Sequence, residues 1–262
     1  MKIRKILSLI LAAAMLLSFA ACDTTTDVQD DAQKETIVIG TNAAFPPFEY
    51  VVSSGEGVIE NYDGIDILIA KEIGADLGVD VKIENIDFDA LLPALASGKI
   101  DVVLAGMTDK PERRENADFS APYWVAVQTI IVPEANTDIT SAADLKGKKV
   151  GVITGYTGDI ALTDMGLTDE LQRYKKGLDA VMDLQNGRLD AVVIDSPTAS
   201  RFMQSFEGLK GVEDPAFDTE EYAIAVKKGN TELLDKINAT ITRLLENGDI
   251  ERFAAEVDSR LE

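Results

Sequence analysis

Histidine is missing from the 262-residue chain, and cysteine occurs once, at Cys22. Without histidine there is no Ser-His-Asp or Cys-His relay and no imidazole metal site. A lone cysteine forms no disulfide within the chain and no thiolate cluster for zinc, so neither a metal nor a cofactor is expected. Positive charge is scarce as well: 25 Lys and Arg stand against 46 Asp and Glu, a formal charge of −21. Such a surface repels a phosphate backbone, so no nucleic-acid partner is expected. The apolar run at residues 6–20 has 15 residues, short of the roughly 20 that a spanning helix needs. What is present is a composition 46% hydrophobic and 27% charged, enough for one or two globular cores.

The apolar run follows Lys2, Arg4 and Lys5 and ends in Phe19-Ala20-Ala21-Cys22. Basic, then apolar, then small residues make an export signal, expected over residues 1–21. The last four residues resemble a bacterial lipobox, with Phe19 where leucine is usual. That resemblance implies that Cys22 is lipidated and becomes the new N-terminus, anchoring the protein to the outer face of the cell membrane or in the periplasm. Cleavage leaves 22 basic against 46 acidic residues, a formal charge of −24, which keeps a tethered protein soluble. Residues 23–34 are polar and without periodicity. With Cys22 and Glu35 they read as a tether over residues 22–35, in which twelve residues reach at most about 40 Å.

Beyond the tether, strands and helices alternate. Strands are predicted over residues 36–40, 79–86 and 101–104, with helices over 64–77 and 87–96 between them and a hairpin over 51–62. A second set has strands over 127–132, 148–153 and 190–194 and helices over 178–185 and 197–206. A strand over 222–226 and helices over 231–246 and 250–257 close the chain. This rhythm argues for α/β lobes with mainly parallel sheets covered by helices. Residues 95–103 echo residues 184–192 at a fixed offset of 89, each a helix end, a glycine, a basic residue and an apolar strand. The echo supports two similar lobes. The expected division is lobe one over 36–123, lobe two over 124–222, and a return to lobe one over 223–262. Crossings near 123–127 and 218–222 make a two-strand hinge.

Residues 102–114 read as a buried strand, a glycine-containing turn and a short helix opened by Pro111 and Glu112. Backbone N–H groups, the Thr108 hydroxyl and the Arg113 guanidinium can converge there on a carboxylate. Residues 41–50 (TNAAFPPFEY), 64–66 (GID), 87–89 (DFD), 118–123 (DFSAPY), 144–152 (DLKGKKVGV) and 190–195 (DAVVID) surround that stretch. Together these motifs resemble the amino-acid-binding branch of the bacterial extracellular solute-binding proteins, family 3, the receptors of ABC importers. The likeness runs from about residue 36 to the C-terminus.

The resemblance implies a type II periplasmic-binding fold that closes on a free amino acid and passes it to a permease, acting as a monomer and not as an enzyme. It matches Arg113 to the family's carboxylate-binding arginine, Thr108 and the Gly106 backbone to adjoining donors, and Thr157 to a donor from the opposite lobe. Asp195 matches the acid that accepts from the α-ammonium, and Phe45 and Phe88 match aromatic residues along the ligand's side chain. Ala105 and Asn42 complete the candidate ligand-binding set. Asn42 and Ile153 are uncharged where relatives place an acid and a lysine, which points to a neutral ligand. Blander roles exist: Phe45 and Phe88 as core aromatics, Asp195 as a helix cap, Thr157 as a helix-start residue, and Arg113 paired with Glu112 or Glu115. The same scaffold also admits a dehydratase of cyclic acids or a sensor for a separate receptor.

Overall fold

The β-branched run Thr36–Thr41 pairs in parallel with Asp80–Asn85 on one side and Val102–Val103 on the other. Helix Ile65–Leu77 makes the first crossover, burying Ile65, Leu68, Ile69 and Ile73 before Gly78 ends it in the left-handed conformation. In the computed structural model, which describes residues 35–167, 169 and 171–261, this unit supplies three strands of a five-stranded sheet. Its spatial order is Asp80–Asn85, Thr36–Thr41, Val102–Val103, Ala225–Lys227 and Ala117–Phe119. A second five-stranded sheet runs Leu171–Tyr174, Val150–Ile153, Ala191–Asp195, Gln128–Pro133 and Leu209–Glu213. Each sheet has two parallel pairings followed by two antiparallel ones. The parallel half is the expected βαβ grammar. The antiparallel half comes from one reversed strand in each sheet, Ala225–Lys227 and Gln128–Pro133, which is inserted between two strands that run with the parallel set.

The echo seen in the sequence is a structural one. Gly98 and Gly187 both adopt the left-handed conformation, at φ 75° and 68°. Three residues later, Asp101 and Asp190 each accept a hydrogen bond from the neighbouring parallel strand, from Val38 N–H at 2.8 Å and Lys149 N–H at 2.7 Å. Val102–Val103 and Ala191–Asp195 then form the middle strand of their sheets. The repeated pattern therefore delivers equivalent strands with their carboxyl ends at equivalent edges.

Strands Trp124–Ala126 and Glu220–Tyr222 pair antiparallel between the two sheets, Trp124 opposite Tyr222. The single strand expected over 222–226 is thus broken in two, because Ala225–Lys227 leaves this ribbon to join the first sheet. Helices Thr231–Glu246 and Asp249–Leu261 follow and pack on Ile65–Leu77. Arg243 ties that packing at 2.9 Å from Glu72 and 2.8 Å from Asp76. In place of a simple hairpin, Ala44–Phe45, Glu49–Val51 and Tyr62–Asp63 form a three-stranded sheet. The expected helix over 87–96 begins as a tight turn, Phe88–Ala90, before Leu91–Ser97. The expected signal peptide, Cys22 and the tether up to residue 34 lie outside the described residues. Among the described residues no helix is long and apolar enough to cross a membrane.

Beneath the first sheet's edge two acids are buried side by side. Glu49 and Asp66 are both 0% exposed. Burial, then the charge of Asp66, raises the Glu49 carboxyl well above its ordinary range. Burial likewise pushes Asp66 up to about 6, although the Gly106 N–H and the Tyr123 hydroxyl favour its ionised form. Both folded-state values exceed the unfolded ones, so this stabilisation is complete below the unfolded carboxylate range and is lost as pH rises through about 6 and beyond. For Asp66 the shift amounts to about 3 kcal/mol. The melting temperature is expected to fall between pH 5 and 8 in scanning calorimetry, and Glu49→Gln to make that slope shallower. A flat wild-type profile would remove the basis for this assignment.

Candidate ligand-binding site

One wall is built where strand Val102–Val103 runs out. The chain turns through Ala105 and Gly106 at the carboxyl edge, the usual ligand-binding edge of open α/β sheets. Gly106 has φ +53°, and a Cβ on it would lie 2.6 Å from Phe45 Cε1, so the aromatic ring can pack only against a glycine. The Gly106 N–H donates to Asp66 Oδ2 at 2.8 Å. Gly106 thus lines the site, and the N–H expected to serve a ligand is engaged by Asp66 in this structure.

Pro111 opens the four-residue helix Pro111–Arg114, which turns Arg113 inward. The Arg113 side chain does not join Glu112 or Glu115 at the surface. The residue is 6% exposed, and its Nη1 donates to the Thr108 carbonyl at 2.7 Å while Nη2 donates to the Gly155 carbonyl at 3.0 Å. Its guanidinium carbon sits 5.2 Å from the Phe88 ring centre. Burial disfavours the charge, and Asp195 and Glu220 oppose that effect.

The second lobe supplies the opposite wall from the equivalent edge. After Val150–Ile153 the chain turns at Gly155 into helix Thr157–Asp164. Thr157 starts that helix, and its hydroxyl also lies 3.1 Å from the Thr108 hydroxyl of the first lobe. Asp195 ends strand Ala191–Asp195 and stands at the N-cap of helix Ser196–Ser205, yet its side chain makes no capping bond there. It accepts instead from the Tyr222 hydroxyl at 2.6 Å. Asp195 is therefore turned into the cleft and gripped from the connecting ribbon.

Between the walls lies a small cavity of about 10 Å³, lined by Phe45, Phe88, Ala105, Gly106, Tyr156, Thr157 and Asp195. That volume suits about one water molecule. Six of these seven residues belong to the set expected from sequence. Phe45 and Phe88 are at once core aromatics and cavity walls, 2% and 8% exposed. Asn42 stands behind the cavity, donating to the Ile86 carbonyl at 2.9 Å and accepting from the Tyr156 hydroxyl at 3.0 Å. Thr108 and Arg113 frame its edge through Thr157 and Phe88.

Sequence reasoning missed Tyr156, Tyr222 and Glu220. The Thr108 hydroxyl donates to Glu220 at 2.9 Å, and the Gln128 amide donates to the other Glu220 oxygen at 3.0 Å. Burial, then the nearby charge of Asp195, pushes Glu220 up to about 8 despite those two donors. The available signal was positional: Glu220 and Tyr222 lie in the expected second crossing, and Tyr156 is flanked by Gly155 and Thr157.

Comparison with known proteins agrees with this architecture. The sequence pattern of the bacterial extracellular solute-binding proteins, family 3, matches residues 37–256. The arginine-binding extracellular protein ArtP of Bacillus subtilis (strain 168) is 32% identical over 257 residues, spanning 95% of this chain and 96% of that protein. The L-arginine-binding protein of Pseudomonas aeruginosa is 36% identical over 228 residues, spanning 83% and 85%. Among solved structures, an ancestral arginine-binding protein bound to glutamine superposes with a TM-score of 0.78 at 40% identity, covering 85% of this chain and 97% of that one. The chain thus belongs to the bacterial extracellular solute-binding proteins, family 3, with a type II periplasmic-binding fold, and is a binding protein, not an enzyme.

Proposed function

We propose that this protein captures a free amino acid with a neutral side chain between its lobes and delivers it to the permease of an ABC importer. The observation that carries this reading is a buried guanidinium and a buried carboxylate contributed to one cleft by different lobes, Arg113 at 6% and Asp195 at 3% exposure. A zwitterion presents one charge of each sign, so it can satisfy both groups when the lobes close on it. Arg113 bonds only neutral carbonyls and Asp195 a hydroxyl, so a zwitterion would give each a partner of opposite charge. Arg113 is pre-aimed by its bond to the Thr108 carbonyl in its own lobe. Its second nitrogen bonds across to Gly155, and a ligand carboxylate can take that position once the lobes part. Tyr222 fixes the Asp195 carboxylate for the ammonium.

A neutral side chain follows from what surrounds the aromatic pair. Both polar atoms of Asn42 are committed within the protein, and Ile153 is a buried apolar residue at 1% exposure. A guanidinium or carboxylate lodged there meets no opposite charge from either position. The named relatives include arginine binders, and one solved neighbour carries glutamine. Handover to a permease rests on population shift: ligand favours the closed shape, and the permease recognises that shape. The lipobox-like Phe19-Ala20-Ala21-Cys22 anchors the monomer beside its permease through the tether.

Calorimetry with all twenty amino acids is expected to give the tightest binding for a neutral one. Arg113→Ala is expected to weaken that binding at least about 100-fold, some 3 kcal/mol. A change within twofold assigns the site elsewhere, and preferential binding of arginine, lysine or glutamate refutes the neutral pocket. Labelled palmitate is expected to enter the wild-type chain in a bacterial host and not the Cys22→Ser variant. Equal labelling of both would place the anchor at another residue or dispense with it.

A further inference from the structure

Tyr156 stands where the ligand's side chain was expected to lie. The sequence assigned that space to Phe45, Phe88 and Asn42, all first-lobe residues. In the structure the phenol of Tyr156 enters it from the second lobe. Its ring centre is 5.4 Å from that of Phe45 and 4.5 Å from that of Phe88, meeting both edge-on. Its hydroxyl ends on Asn42 Oδ1 at 3.0 Å. The residue is 7% exposed. The remaining cavity, about 10 Å³, lies beside Gly106, Thr157 and Asp195, the groups assigned to the ligand's backbone end; it is smaller than any amino acid, so the walls must part somewhat to admit one there.

The root of this side chain has little freedom. The Tyr156 N–H donates to the Ile153 carbonyl at 3.0 Å, and its carbonyl accepts from Ile160 at 3.2 Å. It is the N-cap residue of helix Thr157–Asp164, with extended backbone. The ring is therefore carried as part of the second lobe and arrives when that lobe closes on the first. Turning it out in the closed form means losing two aromatic contacts and the bond to Asn42 and exposing a buried ring.

We infer that Tyr156 is a specificity-determining residue that fills the side-chain slot on closure and restricts the ligand to short neutral side chains such as those of glycine, alanine and serine. This rests on the amino-acid-binding reading above and narrows it. Discrimination falls on the closing step. A longer side chain can rest against Phe45 and Phe88 while the lobes are apart, but it then occupies the volume the phenol must enter. The lobes cannot complete the Thr108–Thr157 and Tyr156–Asn42 contacts around it. The Asn42 amide, engaged by the hydroxyl, registers the depth of the phenol in the slot.

The test is isothermal calorimetry of the full mature chain with glycine, alanine, serine, glutamine and arginine, for wild type, Tyr156→Ala and Tyr156→Phe, with a thermal melt for each. The wild type is expected to bind one of the three small amino acids at least tenfold more tightly than glutamine or arginine. Tyr156→Ala, which empties the slot, is expected to gain at least tenfold for glutamine. Tyr156→Phe keeps the ring, and with it the rejection of glutamine, so it reads out the idea even if the alanine variant melts early. Wild-type preference for glutamine or arginine, with Tyr156→Phe and Tyr156→Ala unchanged, overturns the inference while leaving an amino-acid receptor. A folded wild type that binds none of the twenty amino acids overturns both readings.

Discussion

A guanidinium withdrawn from water needs an acceptor wherever it points, and Arg113 finds one in each lobe. Thr108 belongs to the turn just before its own short helix, and Gly155 to the facing turn of the second lobe. Lobe approach and arginine burial are consequently the same event seen from two sides. Both acceptors are neutral carbonyls, and the negative charge that favours the guanidinium lies at longer range, that of Asp195 foremost. Three local features aim it: the glycine turn that lets Phe45 pack close, Pro111 at the start of the short helix, and Phe88 beneath the guanidinium.

That single cation explains how the buried acids are handled. Asp63 and Asp159 are matched by Arg260 at 3.0 Å and Arg173 at 2.9 Å. Glu49, Asp66 and Glu220 have no such partner among their causes of shift that outweighs burial, and each is raised toward its neutral acid form. Protonation relieves what pairing does not. Asp195 accepts from the Tyr222 hydroxyl at 2.6 Å, and its charge favours the Arg113 guanidinium. The cleft therefore sets one arginine against one hydroxyl-gripped aspartate, with Glu49 and Glu220 pushed toward their neutral forms nearby.

Much of this architecture was legible because it is written in local grammar. The glycine, basic residue, apolar residue and aspartate before each central strand repeat at an offset of 89, and the two aspartates make the same bond in the structure. The antiparallel halves were harder to read. Ala117–Phe119 and Leu209–Glu213 are short or half-polar, and their pairing depends on where the chain returns, a non-local fact. In the site, Arg113 and Asp195 were recoverable because each sits next to a strand end in a recognisable motif. Tyr156 was not, since one residue after a glycine carries no periodicity and its ring direction is fixed by the other lobe. Gly106 was read only in part: its place in the turn was visible, but the Asp66 that takes its N–H lies 40 residues away.

The contacts across the closed cleft have a consequence for how ligand can control shape. Besides Arg113, they include the Thr108–Thr157 hydroxyl pair, the Tyr156–Asn42 bond, the Tyr156 ring against Phe45 and Phe88, and the Lys175–Asp89 ion pair at 2.9 Å. Neutral hydrogen bonds of this kind contribute about 1 kcal/mol each after the water they displace is counted. The ion pair lies at the rim, with side chains 51% and 40% exposed, where solvent and salt screen it strongly. Closure made of individually weak contacts is one that a bound ligand can bias. A ligand tips such a balance only by its differential contacts with the two forms. Contacts made from both lobes at once are absent in the open form by construction, so in this fold binding energy and conformational leverage come from the same atoms.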